Sequence, residues 1–288
     1  MVDRFGYEIS DDMKKVWEVE LDLLDQLVSV CEKYNLRYFL NGGTLLGAVR
    51  HHGFIPWDDD IDVMMLREDY DKLWEVADKE FSDPYFFQTA LSEDNFFRTH
   101  AQLRNSNTTG FIDDDLGKGD INLGIFIDIL PVDVLPKSEF ELKLFRLLIM
   151  VHKFTLIYGC KTDMKDENLV GKLIYIYSHL VLKFVPYKKY FDFFNRHILA
   201  KYRDKDTGRV GDVTLKWLPG VHWKSEWFSD YLMMDFEDRQ YRVPIGYDEI
   251  LTCQYGDYMT VPKDVKNVHG NVTFDPDTPY KEWLRRRR

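Results

Sequence analysis

Positions 41–65 read NGGTLLGAVRHHGFIPWDDDIDVMM, and no other stretch limits the fold so strongly. Asp58, Asp59, Asp60 and Asp62 crowd together, the last two interleaved with Ile61 and Val63 of an apolar run. Like charges at this spacing repel, and Asp is depleted from strands. A chain that keeps them in a strand needs a cation to neutralise them. Alternate residues of an extended segment share a face, so Asp60 and Asp62 point one way while Ile61 and Val63 point into a core. Two carboxylates on one face suit a hard, oxygen-ligated ion, Mg²⁺ or Mn²⁺, with water and phosphate filling the remaining positions. Asp58 and Asp59 then stand behind the ligands and orient water or histidine.

Upstream, the apolar residues Tyr38, Phe39 and Leu40 precede Gly42 and Gly43, and Thr44 opens a short helical segment. This reads as strand, tight turn and helix start. Backbone N–H groups at such a turn meet a phosphate, because glycine permits close approach and a helix N-terminus favours anions. Gly42, Gly43 and Thr44 are therefore candidates to cradle a donor phosphate. Arg50 and Arg104 are the matching cations, since a guanidinium pairs with phosphate oxygens in a bidentate way.

A second informative stretch is IFIDIL at 125–130, where Asp128 alone interrupts an apolar strand. A buried, unpaired carboxylate is costly. Asp128 needs either a cation or hydrogen bonds, and Asp133 is its competitor for a functional role.

These residues carry a resemblance. GGTLLGAVRHHGFIPWDDDIDV resembles the signature of the LicD family, which includes the fukutin-related proteins and belongs to the nucleotidyltransferase superfamily. The likeness continues through Arg67-Glu68-Asp69-Tyr70, the segment from Gly124 to Pro131 with Asp133, and Tyr255-Gly256-Asp257-Tyr258-Met259 with Pro262. It implies an α/β fold: a nucleotidyltransferase-like mixed sheet with helical additions. It implies that Asp60, Asp62 and Asp128 are the catalytic, metal-holding acids, Asp128 being the third acid on a neighbouring strand. It also implies an activity: transfer of a phospho-alcohol, first of all phosphocholine, from a CDP-activated donor to a sugar hydroxyl of a glycan or lipid-linked glycan, with release of CMP. Lipopolysaccharide and teichoic acid precursors are the acceptors so implied. Two alternatives share this metal chemistry: nucleotidyl transfer from a nucleoside triphosphate, and a metal-dependent glycosyltransferase using a nucleotide sugar. Where the family has a His/Arg-rich segment after YGDYM, this chain offers only Lys263, Lys266 and His269.

Composition narrows the partners. A net charge of −11 disfavours nucleic acid, which calls for basic patches. Aromatics at 15% imply a large aromatic core, or a cage for a quaternary ammonium. Three cysteines, Cys31, Cys160 and Cys253, have no metal-ligand spacing and suit a reduced compartment. The N-terminus is polar, with no visible signal peptide. A cytoplasmic protein, at most at the inner membrane face, is expected.

Ser10 followed by Asp11 and Asp12 predicts a helix start, and Trp17, Leu21, Leu24, Val28 and Cys31 give that helix one apolar face. It is expected to support the site without joining it. A strand over 99–104 is predicted to turn Ala101 and Leu103 inward and Gln102 and Arg104 outward. Residues 1–135 form the expected catalytic core and 136–288 a mainly helical extension, the two possibly making one continuous domain. Residues 138–202 read as helical with breaks at Gly159 and Pro186. The apolar run 169–190 is expected to be core, its flanking lysines leaving peripheral membrane contact as the alternative. A short strand is predicted at 213–217, a hairpin over 235–244 and a helix over 247–258.

Overall fold

A computed structural model describes the chain except residues 1, 5, 95, 97, 117–119, 160, 162, 166, 215–221, 263–271 and 288. Cys160, Trp217, Lys263, Lys266 and His269 therefore lie outside the described residues.

In chain order the strands are β1 (Val2–Arg4), β2 (Tyr7–Ile9), β3 (Phe39–Leu40), β4 (Asp62–Leu66), β5 (Tyr85–Gln88), β6 (Ala101–Asn105), β7 (Thr109–Ile112), β8 (Ile125–Val134), β9 (Arg209–Asp212), β10 (Trp223–Lys224), β11 (Tyr231–Phe236), β12 (Arg239–Pro244) and β13 (Val272–Asp275). The α-helices are α1 (Asp11–Lys33), α2 (Gly42–His51), α3 (Arg67–Glu80), α4 (Glu139–Gly159), α5 (Leu169–Phe184), α6 (Tyr187–His197), α7 (Tyr247–Tyr255) and α8 (Tyr280–Arg286).

A seven-stranded mixed sheet forms the centre. β8 is its axis. One edge pairs in parallel with β4, setting Asp62 opposite Asp128. The other edge pairs antiparallel with β6 as far as Ile129 and with β9 from Val132 onward. β3 and β10 close the two ends of this path, and β5 extends β6. The expected α/β class holds. Since β9 and β10 join the same sheet, the boundary drawn at 135 falls inside it. The main core packs α1 over the sheet, with Leu24 and Leu27 joined by Val63 of β4, Leu103 of β6 and Ile127 of β8, all fully buried.

α1 begins as its sequence predicts: Ser10 Oγ accepts the Met13 N–H at 3.1 Å, and Asp11 and Asp12 sit at the positive end of the dipole. The hairpin β11–β12 and helices α4, α5 and α6 also fall where the pattern put them, with breaks after Gly159 and at Pro186. Three expectations need correction. β6 is buried on both faces, because the segment through β7 covers the side that Gln102 and Arg104 occupy; both are 0% exposed. Of the strand predicted at 213–217, Val213 and Thr214 follow the end of β9 and belong to no strand, and residues 215–217 lie outside the described residues. The run 169–190 is not core: of the α5 residues only Gly171 and Ser178 are buried.

The lobe of α4 and α6 is pinned by a buried histidine. His152 stacks on Phe194 with centroids 3.7 Å apart and also meets Tyr190 and Phe191. Burial lowers its pKa from the usual value to about 3. Its neutral form is therefore favoured by folding. The stability this contributes is present above the unfolded value of about 6.5 and is lost as pH falls toward the folded value. At pH 5 the expected loss is about 2 kcal/mol. Urea unfolding at pH 7 and pH 5 measures it, and His152→Phe is expected to flatten the pH dependence.

Candidate active site

The glycine turn and the acid cluster meet through backbone bonds. Asn41 N–H donates to Asp62 O at 3.0 Å, and Asp128 N–H donates to Ile61 O at 2.9 Å. Asp62 N–H donates to Thr44 Oγ1 at 2.8 Å. Thr44 is buried, so its side chain fixes the start of β4 rather than opening toward a phosphate. Asp62 heads β4, but Asp60 lies in the preceding loop, so the two are not strand neighbours on one face. They remain close: Asp60 is the strongest charge acting on Asp62.

Both glycines are required by approach. Gly42 has φ +53°, and a Cβ there would stand 3.0 Å from Asp62 Oδ2. A Cβ on Gly43 would overlap Asp58 Oδ2. The carboxylates of Asp62 and Asp58 therefore press against the N-terminal turn of α2, whose unpaired N–H groups attract anions.

Oxygens of Asp58, Asp59 and Asp60 all lie within 4.8 Å of one another. The sequence put Asp58 and Asp59 behind the ligands, whereas the structure sets them beside Asp60 in the same cluster. Glu20 joins from α1. It is buried, with Asp60, Asp59, Asp58 and Asp128 as neighbouring charges, and burial first, then these acids, push its pKa well up. α1 thus contributes to the site, contrary to expectation. The signal was an acid on the inward stripe, three positions after Trp17.

The two opposed strand acids are held differently. Asp62 is pushed well above the carboxylate range by burial and by Asp60, Asp128 and Asp58. Burial also acts on Asp128, but His100 first, then Arg98 and Gln102, outweigh it and hold it at about 2. Gln102 Nε2 donates to Asp128 Oδ1 at 2.6 Å, and His100 Nε2 stands 3.3 Å from the same oxygen. The competing acid, Asp133, is occupied elsewhere: Arg67 grips both its oxygens at 2.7 and 2.8 Å in a buried pair.

Arg104 is not a phosphate ligand. It is 0% exposed, and its guanidinium donates to Gln88, to Gly110 O at 3.0 Å, to Gly124 O at 2.7 Å and to Gln102 Oε1 at 2.6 Å. That last bond turns the Gln102 amide so that its NH₂ faces Asp128. Arg104 positions the acid through Gln102. Arg50, at the far end of α2, is half-buried, and its Nη1 donates to Tyr258 O at 2.7 Å.

The sequence reading assigned no role to Tyr255. Its hydroxyl lies 3.8 Å from the position of a Cβ on Gly42, and burial together with Asp62, Asp58 and Asp60 raises its pKa. Its motif marked the segment, but only the fold shows that α7 brings it over α2. His100 and Gln102 were legible only as one face of β6.

A hard divalent ion fits this donor set. The acids offer oxygens alone, and Asn41 Oδ1, at the N-cap of α2, is a buried oxygen with no hydrogen-bond partner among the described residues. Burial first, then Asp60, Asp128 and Asp58, raises the proton affinity of Asp62, and a bound cation would offset both causes.

Residues 35–115 match the family model described as LicD/FKTN/FKRP, nucleotidyltransferase domain. The lipopolysaccharide cholinephosphotransferase LicD of Haemophilus influenzae is 35% identical over 261 residues, 85% of this chain and 90% of the relative. The chain belongs to the LicD family. The human ribitol 5-phosphate transferase FKRP shares 51% identity over 43 residues, 15% of this chain and 9% of its own. An uncharacterised protein of Rickettsia prowazekii, RP689, is 37% identical over 68 residues, 21% of this chain and 26% of its own.

In this LicD-family chain the two arginines separate cleanly by substitution. Arg104→Met is expected to cost about 3–5 kcal/mol of stability by stranding buried acceptors. Thermal unfolding reads that loss. Arg50→Ala is expected to leave the unfolding midpoint within a few degrees of wild type and to raise the donor KM roughly tenfold.

Proposed function

We propose that this chain transfers a phospho-alcohol, phosphocholine first, from a CDP-activated donor to a sugar hydroxyl of a cell-surface glycan precursor and releases CMP. The observation that carries this reading is the convergence of Asp58, Asp60, Asp62 and Asp128 on the glycine-opened N-terminus of α2. Family membership supplies the reaction class, and the names of the Haemophilus and human relatives supply cholinephosphate and ribitol phosphate as the transferred groups.

Asp60, Asp62 and Asp128 would hold Mg²⁺, or Mn²⁺ in its place, with Asp58 and Asp59 beside them. When bound, such an ion offsets charge on the donor phosphates and on the leaving oxygen. The N–H groups of Gly42 and Gly43 bind a phosphate oxygen. Arg50 adds positive charge from the far end of α2, held in place by Tyr258. The acceptor hydroxyl attacks the phosphorus of the phospho-alcohol in line. A new P–O bond forms, the bond from that phosphorus to the bridging oxygen breaks, and CMP departs with the bridging oxygen. A carboxylate of the cluster takes the hydroxyl proton. Gln102, His100 and Arg104 keep Asp128 ionised and oriented throughout.

A quaternary ammonium suits the rim of this site. Trp57 directly precedes Asp58, and Tyr7 stands against it with centroids 5.5 Å apart and planes tilted by 55°. Two aromatic walls beside a cluster of carboxylates attract a cation that carries no N–H donors.

The test is CMP release from CDP-choline with Mg²⁺ and a pooled glycan acceptor. Asp62→Asn and Asp128→Asn are each expected to lower kcat by about 10³-fold or more, and EDTA to abolish release. Trp57→Ala is expected to raise the KM for CDP-choline roughly tenfold more than that for CDP-ribitol. Release from CDP-ribitol or CDP-glycerol alone would keep the mechanism and change the donor. Pyrophosphate release from nucleoside triphosphates, with every CDP donor inert, would overturn the reading in favour of nucleotidyl transfer.

A further inference from the structure

The outer surface of the α4–α5 lobe is apolar along two helices. On α5 the residues Leu169, Leu173, Ile176, Leu180 and Phe184 recur at helical spacing and are between 53% and 75% exposed. On α4 the residues Phe140, Leu144, Leu147, Val151 and Phe154 also recur at helical spacing and are between 38% and 77% exposed, while Leu142, Phe145 and Ile149 pack inward. An exposed patch of this extent marks an interaction surface in a protein that folds in water.

Charge identifies the occupant. Over residues 139–202 eleven Lys and Arg stand against six Asp and Glu, a net +5 within a chain of net −11. Residues 168–191 hold four lysines and no acid. Lys172, Lys183 and Lys189 among them are exposed, and Lys172 and Lys183 sit within a helical position of the α5 stripe. Apolar stripes bordered by lysines suit the headgroup boundary of an anionic bilayer, where the stems lie along the acyl region and the ammonium groups reach phosphate. Among the described residues no single helix is long and apolar enough to cross a membrane, and α5 and α6 meet at 94°. That geometry suits a surface-lying element.

We propose that α4 and α5 dock this chain onto the surface of an anionic lipid bilayer. The inner face of the same lobe reaches the site. His152 and Lys153 line a small recess with Thr99 and Thr214. Thr99 adjoins His100, the residue beside Asp128, and Thr99 Oγ1 donates to Thr214 O at 3.1 Å. Docking by the outer face therefore leaves the inner face, with this recess, turned toward the carboxylate site. The docking itself stands without the transferase reading, since lipid binding needs no donor.

Flotation with vesicles tests it, comparing phosphatidylcholine alone with phosphatidylcholine mixed with phosphatidylglycerol. The full chain is expected to float with the mixed vesicles, less so at high salt. Leu173→Glu with Leu180→Glu is expected to lower the bound fraction about tenfold. Lys172→Gln, Lys183→Gln and Lys189→Gln together are expected to remove the preference for phosphatidylglycerol. Unfolding curves establish that each variant is folded, and CMP release to a soluble acceptor is expected to be unchanged. Equal flotation of wild type and the Glu variant would overturn the proposal. So would a wild-type dimer that the Glu substitutions convert to a monomer, because the surface would then be a contact between copies.

Discussion

Repulsion among crowded, half-buried carboxylates is the condition that this sheet must satisfy. Parallel pairing of β4 with β8 sets Asp62 opposite Asp128. The loop before β4 adds Asp58, Asp59 and Asp60, and α1 adds Glu20. Each neighbouring element answers part of this charge. α2 turns its N-terminus toward Asp62 and Asp58, which is why two glycines open it. β6 presents Gln102 and His100 to Asp128. What these groups leave unanswered is centred on Asp62, and an all-oxygen donor set suits a hard cation there.

The division of labour among charged side chains follows from burial. Arg67 with Asp133 and Arg104 with its ring of acceptors are fully engaged and serve the architecture. Arg104 reaches further, since its bond to Gln102 fixes which end of that amide faces Asp128. Removing one partner of such a buried arrangement costs more than the arrangement contributes, because an uncompensated group remains behind. Residues that hold the acids in place are thus tied to stability, while Arg50 and Tyr255, at the margin of the site, are not bound by that constraint.

The order of elements was legible wherever period and punctuation agreed. Ser10 with Asp11 and Asp12, the break at Pro186 and the hairpin into β12 all fall where the sequence set them. Asp128 was legible as a lone acid interrupting an apolar run, with Asp133 left as its competitor; only the fold shows that Arg67 draws Asp133 off. Tertiary cover was not. Arg104 reads as an exposed strand cation until the segment through β7 is laid over it. Glu20 reads as an ordinary helix acid until α1 is packed on the cluster. The run 169–190 reads as core because apolar residues normally belong there, and only the fold shows that none of the described residues covers its outer side. Periodicity tells which residues share a face; it does not tell what lies opposite that face.

β8 changes partners along one edge, from β6 at Ile129 to β9 at Val132, and Pro131 lies within the handover. A proline has no N–H to leave unpaired in such a gap. The strand is therefore a seam between two independently registered halves. The stretch that carries Asp128 is thus aligned by β4 and β6, and the stretch beyond Pro131 takes its alignment on that edge from β9.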